Sequence, residues 1–262
     1  QRIITLTTDF GCADAYVGAM KGVILSVYPS VTIVDISHEV PPQDILHGAY
    51  VLATAYHYFP RGTVHVAVVD PGVGSRRRAV AVSSDGQYFV APDNGLLSLV
   101  LKDLLPAPME EPDRLQAFEC SLSGAITAVE LSDPTYHLPE VSAVFHGRDI
   151  FAPVAAHLSK GVPLDQIGNQ IWSLRCLALG KPLPGKNGST RGTVLHIDGY
   201  GNAVSNIRRE HLTGEITEIQ VGSCTIHGLN VSYATGEGLM AMWGSSGYLE
   251  IAKKNGNAAG SL

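Results

Sequence analysis

The stretch "GTVHVAVVDPGVGSRRRAVAV" (residues 62–82) decides the fold class of this 262-residue chain. It begins with a nearly continuous run of apolar, mostly β-branched residues that ends at Asp70, and a run of this kind is typical of a strand covered on both faces. A Pro-Gly-Val-Gly turn, three arginines at 76–78 and a second apolar run follow. The stretch therefore predicts a central strand of a layered α/β sheet, with a carboxylate at its carboxyl end.

The segments on either side of this stretch fit the same architecture. The apolar patterns predict strands at residues 2–8 and 31–37 and helices at 14–27 and 42–59. Asp85-Gly86 predicts the turn of a hairpin. Further helices are expected from 94 to 104 and after the loop at 145–147. The β-α-β-α-β order predicts an α/β domain over residues 1–180, layered around a mostly parallel sheet.

The last third of the chain has a different pattern. Residues 181–192 are rich in Gly, Pro, Lys and Ser, which is the composition of a linker. Residues 193–262 contain short strand-like runs separated by Gly and Asn turns. They predict a small all-β domain.

Composition narrows the function classes. The formal net charge of −6 argues against a nucleic-acid-binding surface. No apolar run approaches the roughly 20 residues of a membrane helix, and no basic-then-apolar leader is recognisable. The four cysteines are far apart and form no metal-binding pattern. We expect a cytoplasmic protein without a metal, a membrane or a nucleic-acid partner.

Polar residues follow three of the predicted strands. Asp9, Asp70 and Asn94 each stand where a strand ends, with glycine nearby, and ligands of α/β sheets bind at this edge. A loop histidine, His146, precedes a helix and suits acid, base or hydrogen-bonding work. The alternative is that Asp and Asn before Gly are ordinary turn formers. At least one of the three arginines is expected to face solvent, because alternate strand residues point in opposite directions.

A second candidate site lies in "HIDGYGNAVSNI" (residues 196–207). It places Tyr200 between glycines, with Asp198 and Asn202 beside it. An aromatic face with polar neighbours suits a nucleoside. A plain hairpin turn is the alternative.

These motifs carry a family resemblance across nearly the whole chain. The chain resembles the S-adenosyl-L-methionine (SAM) hydroxide adenosyltransferases, which are related to the SAM-dependent fluorinase and chlorinase. The matching stretches are "TLTTDFGCADAYVGAMKGVI", "DISHEVPPQDILHGAYVL", "FPRGTVHVAVVDPGVGSRRRAVAV", "FVAPDNGLLS", "FHGRDIFAPVAAHLSKG", "IDGYGNAVSNI" and "GSSGYLEIAKKNGNAA".

The resemblance implies a fold, an assembly and a reaction. The C-terminal all-β domain would be barrel-like, and the protein a homotrimer with SAM at interfaces between subunits. Water or hydroxide would attack C5′ of SAM and release adenosine and L-methionine, with SAM as the substrate and no cofactor or metal.

It also implies roles for individual residues. The catalytic set would be Asp70, Arg77 and His146, with the general base left open between Asp70 and His146. Asp9 would hold the ribose hydroxyls and Tyr200 would stack on adenine. The remaining substrate-binding positions would be Asn94, Phe145, Asp198 and Asn202, together with Ser245, Ser246 and Asn255 near the methionine carboxylate and the adenine edge.

Two alternatives to hydrolysis stay open. The related halogenases lack side chains equivalent to Asp70 and His146, and a carboxylate would repel a halide ion. This favours hydrolysis over a chlorinase-type reaction. A SAM- or adenosine-binding sensor without turnover would have no use for a water-activating set.

Overall fold

The computed structural model describes residues 2–102, 104, 117–178 and 181–262. The chain divides into two compact units, Gln1–Leu179 and Gly180–Leu262.

The first unit is built on a seven-stranded mixed sheet. Its strands, in spatial order, are β2 (Thr32–Ser37), β1 (Ile3–Thr8), β3 (Val64–Val68), β5 (Gln87–Pro92), β4 (Ala79–Ser84), β7 (Thr127–Glu130) and β8 (Asn169–Ile171). The four strands from β2 to β5 are parallel, and β4, β7 and β8 are joined by antiparallel pairing. A separate antiparallel pair comprises β6 (Ala117–Ser121) and β9 (Ser173–Leu177).

The prediction of an α/β domain is confirmed, but a mostly parallel sheet was wrong for the half that follows β5. The cause is the hairpin that joins β4 to β5, in which Ser84 pairs with Gln87. Asp85 and Gly86 have φ values of 46° and 73°. Positive φ at both central residues gives the tight turn whose twist matches two antiparallel strands, so the chain reverses there.

Helices cover both faces of the parallel half. They are α1 (Tyr16–Val27), α2 (Ile45–Ala55), α3 (Ala152–Lys160) and the short α4 (Leu164–Ile167). Helices α1 and α3 share a buried cluster with one set of alternate β1 and β3 side chains. Helix α2 lies on the opposite face, where Gly48 closely approaches the Val69 side chain. Asp44 caps α2 by accepting a 2.9 Å hydrogen bond from the backbone of His47.

The helix expected from residue 94 does not form in residues 94–102, which make consecutive turns instead. Ser98 explains the difference. Its hydroxyl donates to the Gly95 carbonyl (2.6 Å) and accepts from the backbone N–H of Leu177 in β9 (2.7 Å). This tertiary contact replaces a regular helix with a turn. Residues 103 and 105–116 lie outside the described part of the chain.

The second unit is all-β, as predicted. Its main sheet is antiparallel, in the order β12 (Val194–Ile197), β13 (Ala203–Arg208), β17 (Tyr248–Lys253) and β16 (Leu239–Trp243). Two hairpins accompany it: β10 (Leu183–Pro184) with β11 (Thr190–Arg191), and β14 (Glu218–Val221) with β15 (Cys224–His227).

The expected barrel is not observed. Within residues 181–262 the three sheets are separate, and β12 and β16 are the edges of the main sheet rather than closing on one another. Closure requires continuous pairing around the ring, and β14 and β15 pair only with each other.

The described helices are short. The longest, α1, has 12 residues, and none is long and apolar enough to cross a membrane.

Candidate active site

The candidate site of the first unit lies where the parallel strands end. Asp70 follows β3 by two residues, and Asp9 directly follows its neighbour β1. Because β1 and β3 are parallel and paired, both carboxylates emerge at the same edge of the sheet. This is the edge at which α/β proteins bind ligands.

The turn after Asp70 is held by a glycine. Gly74 has a φ of 76°, and a Cβ atom there would lie 2.4 Å from the carbonyl oxygen of Ala143. Only glycine allows this conformation and this approach without strain. The turn is therefore packed against the segment that leads into His146.

Three predicted catalytic residues are brought together at this point. Arg77 Nε donates to Oδ1 (2.8 Å) and Oδ2 (3.0 Å) of Asp70, and its Nη2 also donates to Oδ2. The same Nη2 donates to Nδ1 of His146 at 2.8 Å. The Arg77 and Asp70 side chains are only 10% and 5% exposed, and the guanidinium lies 5.4 Å from the centre of the Phe151 ring.

This geometry fixes the tautomer of His146. A guanidinium only donates hydrogen bonds, so Nδ1 of His146 is the acceptor and Nε2 carries the ring proton. Burial, and then the charge of Arg77, lower the pKa of His146 below its ordinary value, against the opposing effects of Asp70 and Asp149. The imidazole is therefore neutral at pH 7 and offers an N–H donor.

The two flanking arginines do other work. Arg76 is exposed, as expected for at least one of the three. Arg78 is paired with the buried Asp93 at 2.6 Å. The other oxygen of Asp93 accepts from the backbone N–H of Arg175 at 2.7 Å. Burial raises the pKa of Asp93 despite these contacts.

Asn94 braces the strand that carries Asp70. Its side-chain amide donates to the carbonyl of Val69 at 2.9 Å, and its side-chain oxygen accepts from the N–H of Leu96. A substrate contact for Asn94 stays a prediction.

Asp9 and Phe145 belong to two neighbouring features. Asp9 Oδ2 accepts a 2.8 Å hydrogen bond from the backbone N–H of Gln43, and its Oδ1 accepts none from the residues that the structure describes. Phe145 packs edge-on against Phe10 and Tyr16, with ring centres 5.7 and 5.2 Å apart. These aromatic rings form an apolar surface immediately before His146.

In the second unit, Asp198 organises a tight loop between β12 and β13. One oxygen accepts from the backbone N–H groups of Tyr200 (2.9 Å) and Asn202 (2.8 Å), and the other accepts from the Asn202 side chain (2.9 Å). The Tyr200 side chain is left 84% exposed. The loop is therefore a hairpin turn, which was the alternative interpretation of the sequence, and it also presents an exposed aromatic ring.

The remaining predicted residues lie in turns of the same unit. Ser245 and Ser246 occupy the turn between β16 and β17, and Asn255 follows β17 with a φ of 53°. No motif pointed to Tyr233, whose hydroxyl accepts a hydrogen bond from the Asn202 side chain at 3.2 Å. Tyr233 lies 31 residues from Asn202 in a segment without regular pattern, so only the fold brings it there.

No cluster of three or more His, Cys, Asp or Glu side chains with metal-binding geometry occurs in the described part of the chain.

Comparison with known proteins identifies the family. Residues 4–168 match the SAM hydroxide adenosyltransferase N-terminal domain, and residues 192–262 match the C-terminal domain of the same family. The chain belongs to the SAM hydroxide adenosyltransferase family.

Relatives of two kinds resemble the chain. A protein of Salinispora arenicola named (R)-S-adenosyl-L-methionine hydrolase is 38% identical over 98% of this chain and 92% of its own length. A protein of the same name from Thermus thermophilus is 37% identical over 100% and 96%. A fluorinase from an Actinoplanes species is 30% identical over 80% of this chain and 73% of the fluorinase.

A solved structure shares the fold. The crystal structure of an uncharacterized conserved protein from Thermotoga maritima superposes with a TM-score of 0.83 at 34% identity, covering 99% of this chain and 95% of that protein.

Proposed function

We propose that this member of the family is a SAM hydrolase that converts SAM and water to adenosine and L-methionine. The observation that carries the proposal is the buried contact of Arg77 with both Asp70 and His146. Relatives of nearly equal length that are 37–39% identical bear the name (R)-S-adenosyl-L-methionine hydrolase, which supports the same reaction.

The reaction is a displacement at C5′ of the ribose. A water oxygen forms a bond to C5′ while the C5′–S bond breaks, and the electron pair of the broken bond stays on sulfur, which becomes the thioether of methionine. Methionine therefore leaves without protonation. The demanding part of the reaction is the activation of water, which is a poor nucleophile. The site must place water in line with the C5′–S bond and accept its proton.

The chain's residues divide this work. The Nε2–H of His146 donates to the water oxygen and orients it. Neither nitrogen of His146 can accept the water proton, because Nδ1 accepts from Arg77 and Nε2 already carries a proton. Asp70, whose carboxylate is held by Arg77, therefore accepts it. Arg77 holds the two partners in register and stabilises developing hydroxide character.

Substrate recognition is assigned to the predicted binding residues. The free oxygen of Asp9 suits the ribose hydroxyls, Phe145 supplies an apolar wall, and the exposed Tyr200 ring suits adenine. The methionine and adenine contacts are assigned to the turns that contain Asp198, Asn202, Ser245, Ser246 and Asn255. Asn94 would act indirectly, because it holds the end of the strand that carries Asp70.

A homotrimer with substrate sites at subunit interfaces, working in the cytoplasm without cofactor or metal, completes the proposal. Light scattering on the purified protein tests the assembly, and a mass three times the 27.8 kDa of one chain is expected.

SAM-dependent halogenation is the second candidate, and the similarity to fluorinases favours it. The negative charge of Asp70 argues against it, because an anion beside a buried carboxylate is repelled. A sensor that binds SAM without turnover is the third.

One incubation separates the three. Purified protein is mixed with the (R) and (S) sulfonium epimers of SAM, with and without chloride or fluoride, and products are resolved by chromatography. Adenosine and methionine, independent of halide, are expected. A 5′-halo-5′-deoxyadenosine would establish halogenation, and intact SAM with measurable binding would establish the sensor. An Asp70→Asn preparation controls for contaminating hydrolases.

A further inference from the structure

A buried histidine lies beside the strand end that carries Asp9. His38 directly follows β2, and Thr8 is the last residue of β1. Because β1 and β2 are parallel and paired, the two residues meet at the edge of the sheet where Asp9 emerges. His38 is 5% exposed, and Thr8 is fully buried.

A chain of polar contacts runs from the protein surface to the end of β1. Nζ of Lys21 in α1 donates to Oδ2 of Asp35 at 2.6 Å. Oδ1 of Asp35 lies 3.1 Å from Nε2 of His38, in an electrostatic contact that is not aligned as a regular hydrogen bond. Nδ1 of His38 and Oγ1 of Thr8 are 2.8 Å apart. The same Oγ1 accepts from the backbone N–H of Phe10 at 3.3 Å.

One arrangement of protons satisfies this chain of contacts. With a proton on Nε2 of His38 directed at the Asp35 carboxylate, Nδ1 is the acceptor for the Thr8 hydroxyl. The Thr8 oxygen then keeps a lone pair for the N–H of Phe10. Burial alone would raise the pKa of Asp35, but the contacts with Lys21 and His38 lower it below its ordinary value. Asp35 is therefore ionised at neutral pH and holds the imidazole ring in this orientation.

The segment that begins at His38 also holds Asp9 from its other side. The His38 carbonyl accepts from the N–H of Gly11 at 2.8 Å. The N–H of Gln43 donates to Oδ2 of Asp9, also at 2.8 Å. Gln43 has a φ of 67°, a strained conformation for a residue other than glycine, which persists only where the surrounding structure imposes it. Asp9 is therefore fixed by contacts on both sides.

The contacts of His38 orient a neighbour and do not themselves react. A carboxylate, an imidazole and a hydroxyl in this order resemble a nucleophilic triad. Thr8, however, is fully buried, and its oxygen is engaged by both His38 and the N–H of Phe10. No substrate can reach this hydroxyl. Its effect is to fix the turn at Thr8–Phe10, and Asp9 is the central residue of that turn.

We propose that His38 is a positioning residue for the ribose of SAM, because it holds Asp9, through Thr8, in the orientation that accepts from both ribose hydroxyls. The inference rests on the proposed function, which supplies the ribose and assigns it to Asp9. A carboxylate accepts from two adjacent hydroxyls only when it is correctly oriented, since hydrogen bonds weaken steeply as their angle departs from a straight line.

Two variants break the contact and a third restores it. Thr8→Val keeps the shape and removes the hydroxyl, and His38→Leu removes the ring acceptor. In each, the Kd for adenosine and the KM for SAM are expected to rise by about tenfold, with kcat within about threefold of wild type. The double variant should lose no more than either single one, because both act through one contact. His38→Asn offers a side-chain oxygen in place of Nδ1 and should recover most of the affinity.

A change of ligand provides the second arm of the test. The nucleoside 2′,3′-dideoxyadenosine lacks both ribose hydroxyls. Wild type should bind adenosine at least about tenfold more tightly than this analogue, and the ratio of the two Kd values should fall toward one in Thr8→Val and His38→Leu. Any loss of folded protein changes both Kd values by the same factor and cancels from the ratio. This arm therefore does not depend on the variants being as stable as wild type.

His65→Gln is the matched control. His65 is also fully buried, and its Nδ1 also contacts a threonine of β1, Thr5, at 2.8 Å. Because Thr5 lies in the middle of β1, away from Asp9, this variant should keep the wild-type ratio. An unchanged ratio in Thr8→Val and His38→Leu would overturn the proposal and make His38 a structural residue. An equal fall in the ratio for His65→Gln would overturn it too, as would equal binding of the two nucleosides by wild type.

Failure of the proposed function would look different. If wild type released no adenosine from SAM, calorimetry would still measure the Kd values for the two nucleosides. A ratio that falls in His38→Leu but not in His65→Gln would then support the positioning role in a protein that binds the nucleoside without hydrolysing SAM.

Discussion

Both candidate regions of this molecule contain a hydrogen-bonded aspartate, but the aspartate has different partners in each. In the first unit, Asp70, Arg77 and His146 bind one another, and Asp70 and Arg77 are almost wholly buried. In the second unit, Asp198 binds mainly the backbone of its own loop and leaves Tyr200 84% exposed. The first region is a fixed arrangement of charges, and the second is a fixed backbone that presents a free ring. The first region is suited to activating a small nucleophile, and the second is suited to binding a planar group.

The difference follows from how far apart the partners lie in the chain. Arg77 is seven residues from Asp70 but 69 from His146, so only the folded sheet edge assembles the set. Asp198 reaches its partners two and four residues away. The charge network therefore depends on the whole first unit, whereas the aromatic platform is local.

The largest effect is expected from breaking the charge network. Asp70→Asn removes the proposed proton acceptor and the charge opposite Arg77 and should lower kcat for SAM about 10²–10⁴-fold, the usual contribution of a positioned acid or base. The Kd for SAM should change much less. Stopped assays for kcat and calorimetry for Kd measure the two.

His146→Ala is the companion change and should show the same split between kcat and Kd. Equal losses in turnover and binding for both variants would make the network a structural element rather than a catalytic one.

Features set by neighbouring residues could be predicted from the sequence, whereas features that depend on contacts between distant residues could not. The β4–β5 hairpin follows from Asp85-Gly86 alone, and the Asp198–Tyr200–Asn202 loop from its own spacing, because local backbone preference decides both. The helix expected from residue 94 fails because Ser98 bonds to Leu177, 79 residues away. The burial of Glu250 in β17 depends on the close approach of Gly244, and no spacing in the sequence predicts it.

The strand that leads to Asp70 contains a buried histidine, which should make the fold acid-sensitive. His65, in β3, is fully buried, and burial lowers its pKa to about 4. Its Nε2 donates to the Gln87 side-chain oxygen (2.8 Å), because the Gln87 amide nitrogen donates to the Phe59 carbonyl. Nδ1 then accepts from the Thr5 hydroxyl, also at 2.8 Å.

Between pH 6.5 and about 4 the unfolded chain binds a proton at this histidine that the folded chain does not. Stability is therefore complete above pH 6.5 and falls as the pH drops toward 4, by about 3 kcal/mol from this group. Urea unfolding of wild type and His65→Gln at pH 7 and 4.5 measures it. The variant should lose less stability over the interval, and identical losses would contradict the assignment.

Asp9 lies at the same sheet edge as Asp70 but should behave like a binding residue. Asp9→Ala removes a carboxylate that is proposed to accept from the ribose hydroxyls, and hydrogen bonds to charged groups contribute about 1.5–3 kcal/mol. The Kd values for SAM and for adenosine should rise together, by roughly ten- to hundredfold. Calorimetry with both ligands checks this. Intact adenosine binding would remove Asp9 from the ribose contact, and Asp44→Ala, which loses the cap of α2, controls for local loosening.

The smallest effect is expected where the second region is broken, at Tyr200. Stacking of a base on an aromatic ring contributes about 1–3 kcal/mol, so Tyr200→Ala should weaken adenosine and SAM binding by roughly five- to hundredfold while kcat at saturating SAM stays near wild type. Tyr200→Phe keeps the ring and should bind as wild type does. A fall in kcat for Tyr200→Ala would mean that the exposed ring also aligns C5′ for attack. In that case the division between a fixed charge network that reacts and an aromatic platform that only binds would not hold.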